Sequence, residues 1–128
     1  MGYSYFPTSK DIYIEVNGRR LAVVESYKAK AVRESRYIEA FGEEEPVGTV
    51  AGRVRHVVEL GRVYATEAAM KDGINFFELA DFNLVIVKPD RRVVYSGCEW
   101  AELFESARLG DVVAEKVTVV AAKRMELV

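Results

Sequence analysis

The sequence predicts a mainly β protein, an antiparallel β-sandwich or small barrel of about seven to eight strands with one short flanking α-helix. Three observations carry that prediction. Residues 11–16 alternate strictly, with Ile12, Ile14 and Val16 on one parity, and run directly into Asn17-Gly18. Residues 49–66 and 112–120 are long segments rich in valine with the same period of two. Residues 66–82 form the best candidate for a helical stripe, through Met70, Ile74, Phe77 and Ala80.

The elements follow in chain order. Residues 11–16 and 20–24 make a hairpin, because Asn-Gly tolerates the positive φ that a type I′ turn requires. Residues 25–36 suit strand or helix by composition. Tyr27, Ala29 and Ala31 alternate with Lys28 and Lys30, and no helix cap precedes them, so a strand is favoured. Residues 41–48 hold two glycines, a proline and the adjacent acids Glu43, Glu44 and Glu45, which makes them an exposed loop. The three acids repel one another. They read as a solvated loop tip or, alternatively, as a contact for a basic patch on a neighbouring subunit. Their spacing lacks the alternating ligands of a calcium loop.

Residues 49–66 read as one long strand. Val50, Val54, Val58, Leu60 and Tyr64 share a parity, with Val57 and Val63 opposite. Apolar residues on both faces mark a core strand or an interface strand. Gly52 and Gly61 suggest bulges or close backbone approach. A short helix is expected over 75–81, with Asn75 as its cap and Glu78 three residues on. Phe76, Phe77 and Leu79 would then close one end of the core. Strands at 83–88 and 92–97 flank a turn at Pro89-Asp90. Residues 98–108 allow helix by composition and strand through Trp100 and Phe104. Gly110-Asp111 is a turn, and the strand over 112–120 continues through Ala122 towards residues 125–127.

The 128 residues favour one domain, with 1–10 as an N-terminal arm. A hydrophobic content of 50% excludes a disordered chain. No apolar run approaches the roughly 20 residues that span a bilayer. Residues 1–10 lack a continuous apolar signal segment, so a cytoplasmic product is the default. The net charge of −2 gives no bulk attraction to nucleic acid. Arg19-Arg20, Arg53 with Arg55, and Arg91-Arg92 read as solvated surface charge.

Cys98 is the only cysteine and His56 the only histidine. An intrachain disulfide is therefore impossible, and a closed zinc site of about four ligands is not expected. Cys98 reads as a buried structural residue and His56 as a strand-face residue. Residues 48–52 lack the lysine and hydroxyl of a nucleotide loop, and Ser96-Gly97-Cys98 lacks the glycine of a nucleophile elbow. Glu99 and Glu102 would need a cleft to act as paired acids. No catalytic residue, metal or cofactor is assigned, and an enzyme is not expected.

A set of segments carries a further resemblance. They are Phe41-Gly42-Glu43 with Pro46-Val47-Gly48, residues 52–66, Phe76-Phe77-Glu78-Leu79 before Phe82, residues 94–100, Gly110-Asp111 and residues 115–121. Through these the chain, over residues 11–127, resembles the tail-tube proteins of contractile bacteriophage tails, tail-like bacteriocins and prophage elements. The resemblance implies that residues 98–108 are extended, with a bulge near Gly97. It implies a β-sandwich flanked by a helix, six copies in a ring, and sheets joined between copies around a lumen. Rings would stack into a tube, with a sheath protein outside, a tape-measure protein within, an initiator at the baseplate and DNA only in transit. Assembly would take place in the host cytoplasm, without a membrane, and the product would be the tail of a virion or tail-like particle. The implied subunit contacts are Phe41, Gly42, Glu43, Glu44, Glu45, Pro46 and Val47 in the loop, and Val54, Val58 and Tyr64 on the long strand. The alternatives are a tube-end initiator or terminator of the same fold, which needs only one stackable face, and a small β-barrel binding domain with a ligand pocket.

Overall fold

The computed structural model describes residues 11–38, 41–42, 44–45, 48–104 and 112–128. The strands are β1 (Ile12–Val16), β2 (Arg19–Ile38), β3 (Gly48–Ala65), β4 (Phe82–Val87), β5 (Arg92–Phe104), β6 (Val112–Ala121) and β7 (Lys123–Leu127). Helix α1 (Glu67–Lys71) and a 3₁₀ turn at Phe76–Glu78 lie between β3 and β4. The hydrogen-bonded order is β4-β1-β2-β3-β6-β5-β7, and β4 also pairs with β5. Six strands therefore close on themselves, with β7 as an extra strand. All the pairings are antiparallel. The expected arm at 1–10 and turn at Gly110-Asp111 lie outside the described residues, as do residues 105–108.

The first hairpin forms as its sequence dictates. Asn17 and Gly18 adopt φ of 52° and 79°, and β2 returns from Arg19. β1 is enclosed between β2 and β4, so Ile12 and Ile14 on one face and Tyr13 on the other are all buried. The Arg20 guanidinium lies 3.9 Å from the centre of the Tyr13 ring, a cation–π contact that shields it. β2 then continues for 20 residues without a break, so the ambiguous segment at 25–36 is strand throughout.

β3 changes which parity faces the core. Val58 and Leu60 are buried, and so is Val63. Arg62 has a φ of 50°, and the register with β6 shifts between Val63 and Tyr64. The left-handed Arg62 is where the inward parity changes from Leu60 to Val63, and the register shift one rung later places the extra residue on β6. Gly61 pairs with Ser26, and a Cβ on Gly61 would collide with the Ser26 hydroxyl.

The helix is not where its cap signal placed it. α1 starts at Thr66, whose Oγ1 accepts a hydrogen bond from the Ala69 N–H at 3.2 Å. Arg19, at the start of β2, is ion-paired with Asp72 and ties the helix end to the first hairpin. Asn75 does act as a cap, its Oδ1 accepting from the Phe77 N–H at 3.1 Å, but only a 3₁₀ turn follows. The Phe76 carbonyl accepts from the Leu79 N–H at 3.2 Å and from the Trp100 indole N–H at 2.7 Å. Leu79 is already extended, so the turn stops there. Phe76 is buried and Leu79 half-buried, whereas Phe77 is exposed.

β5 serves two neighbours in succession. Its first half pairs with β4 and its second half, from Glu99, pairs with β6. Between them Gly97 has a φ of 63°. β6 and β7 run along β5 in one register, interrupted at Ala122, whose N–H donates to the Ser96 carbonyl at 3.1 Å. A Cβ on Gly97 would lie 3.0 Å from the Ala122 Cβ. Gly97→Ala is therefore expected to cost about 1–2 kcal/mol through its left-handed backbone alone, read as a lower urea midpoint. Adding Ala122→Gly would relieve the contact without relieving the backbone, so only part of the loss should return.

The core is built from Phe82, Leu84 and Ile86 of β4, Ile14 and Val24, Val58 and Leu60, and Val117 and Val119. Phe82 packs on Trp100 with ring centres 4.6 Å apart. Cys98 is fully buried, as its sequence context suggested, and its thiol donates to the Tyr95 carbonyl at 3.2 Å. Burial pushes that thiol up to about 12, so it stays protonated and unreactive at neutral pH.

Candidate assembly surface

β2 and β3 outrun the strands beside them. β1 covers β2 over residues 19–23, and β6 covers β3 over residues 56–64. Past the rung Ala31↔His56, the rungs from Val32↔Arg55 to Ile38↔Gly48 join β2 to β3 alone. At about 3.3 Å per residue this two-stranded ribbon projects roughly 20 Å. Among the described residues, stretches without a strand partner on one side include β2 beyond Val23, β3 from Gly48 to Val54, β5 beyond Cys98, β6 before Lys116 and the outer side of β7. Unpaired N–H and C=O rows of this kind are templates for another strand.

Among its described side chains, the ribbon contributes none to the core. No described side chain between residues 25 and 57 is buried. An isolated two-stranded hairpin is marginal in water, so a ribbon this long gains most from contact with something else.

Charge is uneven along it. Over residues 27–38 and 48–58 the two strands carry Lys28, Lys30, Arg33, Arg36, Arg53 and Arg55 against one acid, Glu34. The loop at its end presents Phe41, fully exposed, and the exposed acids Glu44 and Glu45. Gly42 supplies a φ of 87° at the turn. Glu43, Pro46 and Val47 lie outside the described residues.

Two clefts flank the root of the ribbon. The larger, of 740 Å³, is lined on one side by residues 27–31 and His56 and on the other by Tyr95 and Arg124. The His56 and Tyr95 rings meet edge to face at 5.9 Å. Arg124 donates to Glu126 at 2.8 Å. That hydrogen bond, with the nearby charge of Arg91, holds the Glu126 carboxyl below its ordinary range. The second cleft, of 480 Å³, opens in the fork where β7 leaves β3, between Arg53, Val54 and Arg55 and the small residues Gly97, Ala121 and Ala122.

The contacts suggested by the sequence divide between ribbon and barrel. Phe41, Gly42, Glu44 and Glu45 sit at the ribbon's end, and half-buried Val54 lines the fork. Val58 is a core residue with no exposed surface, so its side chain has nothing to offer a neighbour. Tyr64 belongs to the barrel wall, where its hydroxyl donates to Glu25 at 3.1 Å. It stands beside Arg62, which is ion-paired with Glu115 at 3.0 Å. Hydrogen bonds to Tyr64 and Glu115 raise the Arg62 pKa.

Sequence reasoning missed the larger cleft. The alternation Tyr27-Lys28-Ala29-Lys30-Ala31 is its one local signal, small residues on one face and cations on the other. Tyr95 and Arg124 enter only because β5 pairs with β7 at that rung. No protein-family model matches the chain, and no curated protein matches its sequence.

Proposed function

We propose that this chain is a structural subunit that assembles with copies of itself into rings, and that the rings stack into the inner tube of a phage tail or tail-like particle. The observation that carries the reading is the ribbon: a closed barrel projects two strands with open edges, no buried side chain among those described, and a mainly basic shaft with acids at its end. Such an element is idle in a monomer and useful in an assembly. Edges on β2, β3, β5 and β7 offer strand addition between copies, which would join separate sheets into one continuous wall. The resemblance of residues 11–127 to tail-tube proteins supplies the expected stoichiometry of six per ring. It also supplies the expected partners, a sheath protein, a tape-measure protein and a baseplate initiator, with DNA passing through the lumen.

Negative-stain microscopy of the purified protein across a concentration series, with solution mass measured in parallel, tests this. Rings of six that stack into tubes are the expected result. Rings that never stack would assign the chain to a tube end, where one assembly face is enough. A monomer at every concentration would remove the reading's support.

A further inference from the structure

We infer that the open edge of β2 in one copy pairs with the open edge of β5 in the next, and that Lys28 and Lys30 meeting Glu99 and Glu102 across that joint fix its register. The inference rests on the self-assembly reading above and names the two edges and the charges that would make it.

β2, β3, β6 and β5 are consecutive neighbours in the sheet, and their rungs run straight across it. Lys30 pairs with Val57, Val57 with Val120, and Val120 with Glu99. Lys28 pairs with Glu59, Glu59 with Thr118, and Thr118 with Glu102. The rung between these two runs through Ala29, Val58, Val119 and Trp100. Val58 and Val119 are buried on it, and Trp100 packs against the core. Residues paired across a sheet share a face and successive residues alternate, so both lysines and both glutamates stand on the outer face. All four are exposed. The closing strands leave these rungs without a partner at either end. β1 covers β2 only as far as Val23, and β4 covers β5 only as far as Cys98. One sheet therefore ends at the same height in a basic edge on β2 and an acidic edge on β5.

Strand direction agrees with charge. Each neighbouring pair is antiparallel, so β2 and β5 run in opposite directions. Copies in one orientation then bring β5 of one beside β2 of the next as a further antiparallel pair, and the sheet continues from chain to chain. Within one copy β3 and β6 hold these edges roughly 14 Å apart, so the edges meet only between copies. The register that carries the rungs through sets Glu99 opposite Lys30 and Glu102 opposite Lys28. Opposite charges across a ladder are favourable, whereas β2 on β2 would set lysines against lysines and β5 on β5 glutamates against glutamates. Glu99 already accepts from the Asp81 N–H at 3.2 Å, and Lys28 has Glu59 beside it. Lys30 and Glu102 are therefore the freer pair, and as diagonal neighbours they lie within reach of long side chains. Two different edges make the contact head to tail, so it repeats until it closes into a ring or extends into a filament. A joint over residues 99–104 is smaller than the roughly 1,200 Å² that a stable interface buries, so the projecting ribbon is needed beside it.

The test is charge exchange in the full chain, with far-ultraviolet circular dichroism and thermal melts verifying that each variant is folded. Sedimentation velocity then reads self-association. Lys30→Glu or Glu102→Lys alone should weaken it by about tenfold or more, because each sets like charges across the joint. The two substitutions in one chain should recover association, because every joint again brings opposite charges together. Lys28→Cys with Glu102→Cys puts one thiol on each edge of the same rung. Mild oxidation of that variant should give a ladder of linked chains on a non-reducing gel, and the wild type, whose Cys98 is fully buried, should give none. Association that ignores both reversals and yields no ladder would overturn the inference while self-assembly stands. So would an exchanged chain no better than either single variant. A wild type that never associates would overturn both.

Discussion

Phe82→Ala is expected to lower the stability of the barrel by about 3–5 kcal/mol. Phe82 is fully buried and stacks on Trp100 at 4.6 Å. It also sits at the start of β4 opposite Cys98, beside the kink where β5 changes partners. Removing the ring leaves a cavity that fixed strands on both sides cannot collapse to fill. A domain of this size has a total stability of about 5–15 kcal/mol, so the variant loses a large share of it. Phe77→Ala is the internal comparison. Its side chain is 40% exposed, and it should cost under about 1 kcal/mol. Urea unfolding reads both. Equal losses at the two positions would contradict the packing described for Phe82.

The second large effect concerns assembly and should leave stability nearly untouched. Replacing residues 33–54 with Asn-Gly joins Val32 to Arg55, which face each other in the ladder. A two-residue type I′ turn fits that junction. The excision removes the loop and most of the ribbon but no side chain that is buried among those described, and shortening a connection carries little entropic consequence. The barrel should therefore stay folded, with its stability changed by about 1 kcal/mol or less, while rings and tubes disappear. Rings formed by the shortened chain would show that the ribbon is not the assembling element. Loss of the folded barrel would show that the ribbon supports the sheet.

Much of the local structure was legible because its cause is local. Period-two alternation at 11–16 makes a strand, and Asn17-Gly18 makes a turn, whatever surrounds them. The Asn75 cap was also read correctly as a cap. What followed it was not, because the Trp100 indole competes for the Phe76 carbonyl from 24 residues away. Thr66 was the stronger start, with its hydroxyl on the Ala69 N–H, and α1 lies there instead. The tail-tube resemblance makes Val58 a contact, but Val58 shares its parity with Leu60 and both face the core, while the positive φ at Arg62 separates Tyr64 from them.

The sequence by itself determined a mainly β chain, the first hairpin, a buried thiol at Cys98 and an acidic loop between two long strands. Those features follow from residue type and near neighbours. Only the tertiary structure decided which strand edges are left open, where the ribbon leaves the barrel, and that Tyr95 and Arg124 face Tyr27 across a cleft. Edge coverage and clefts depend on how far each strand's partner extends, and pairing lengths are set by contacts between residues distant in the chain.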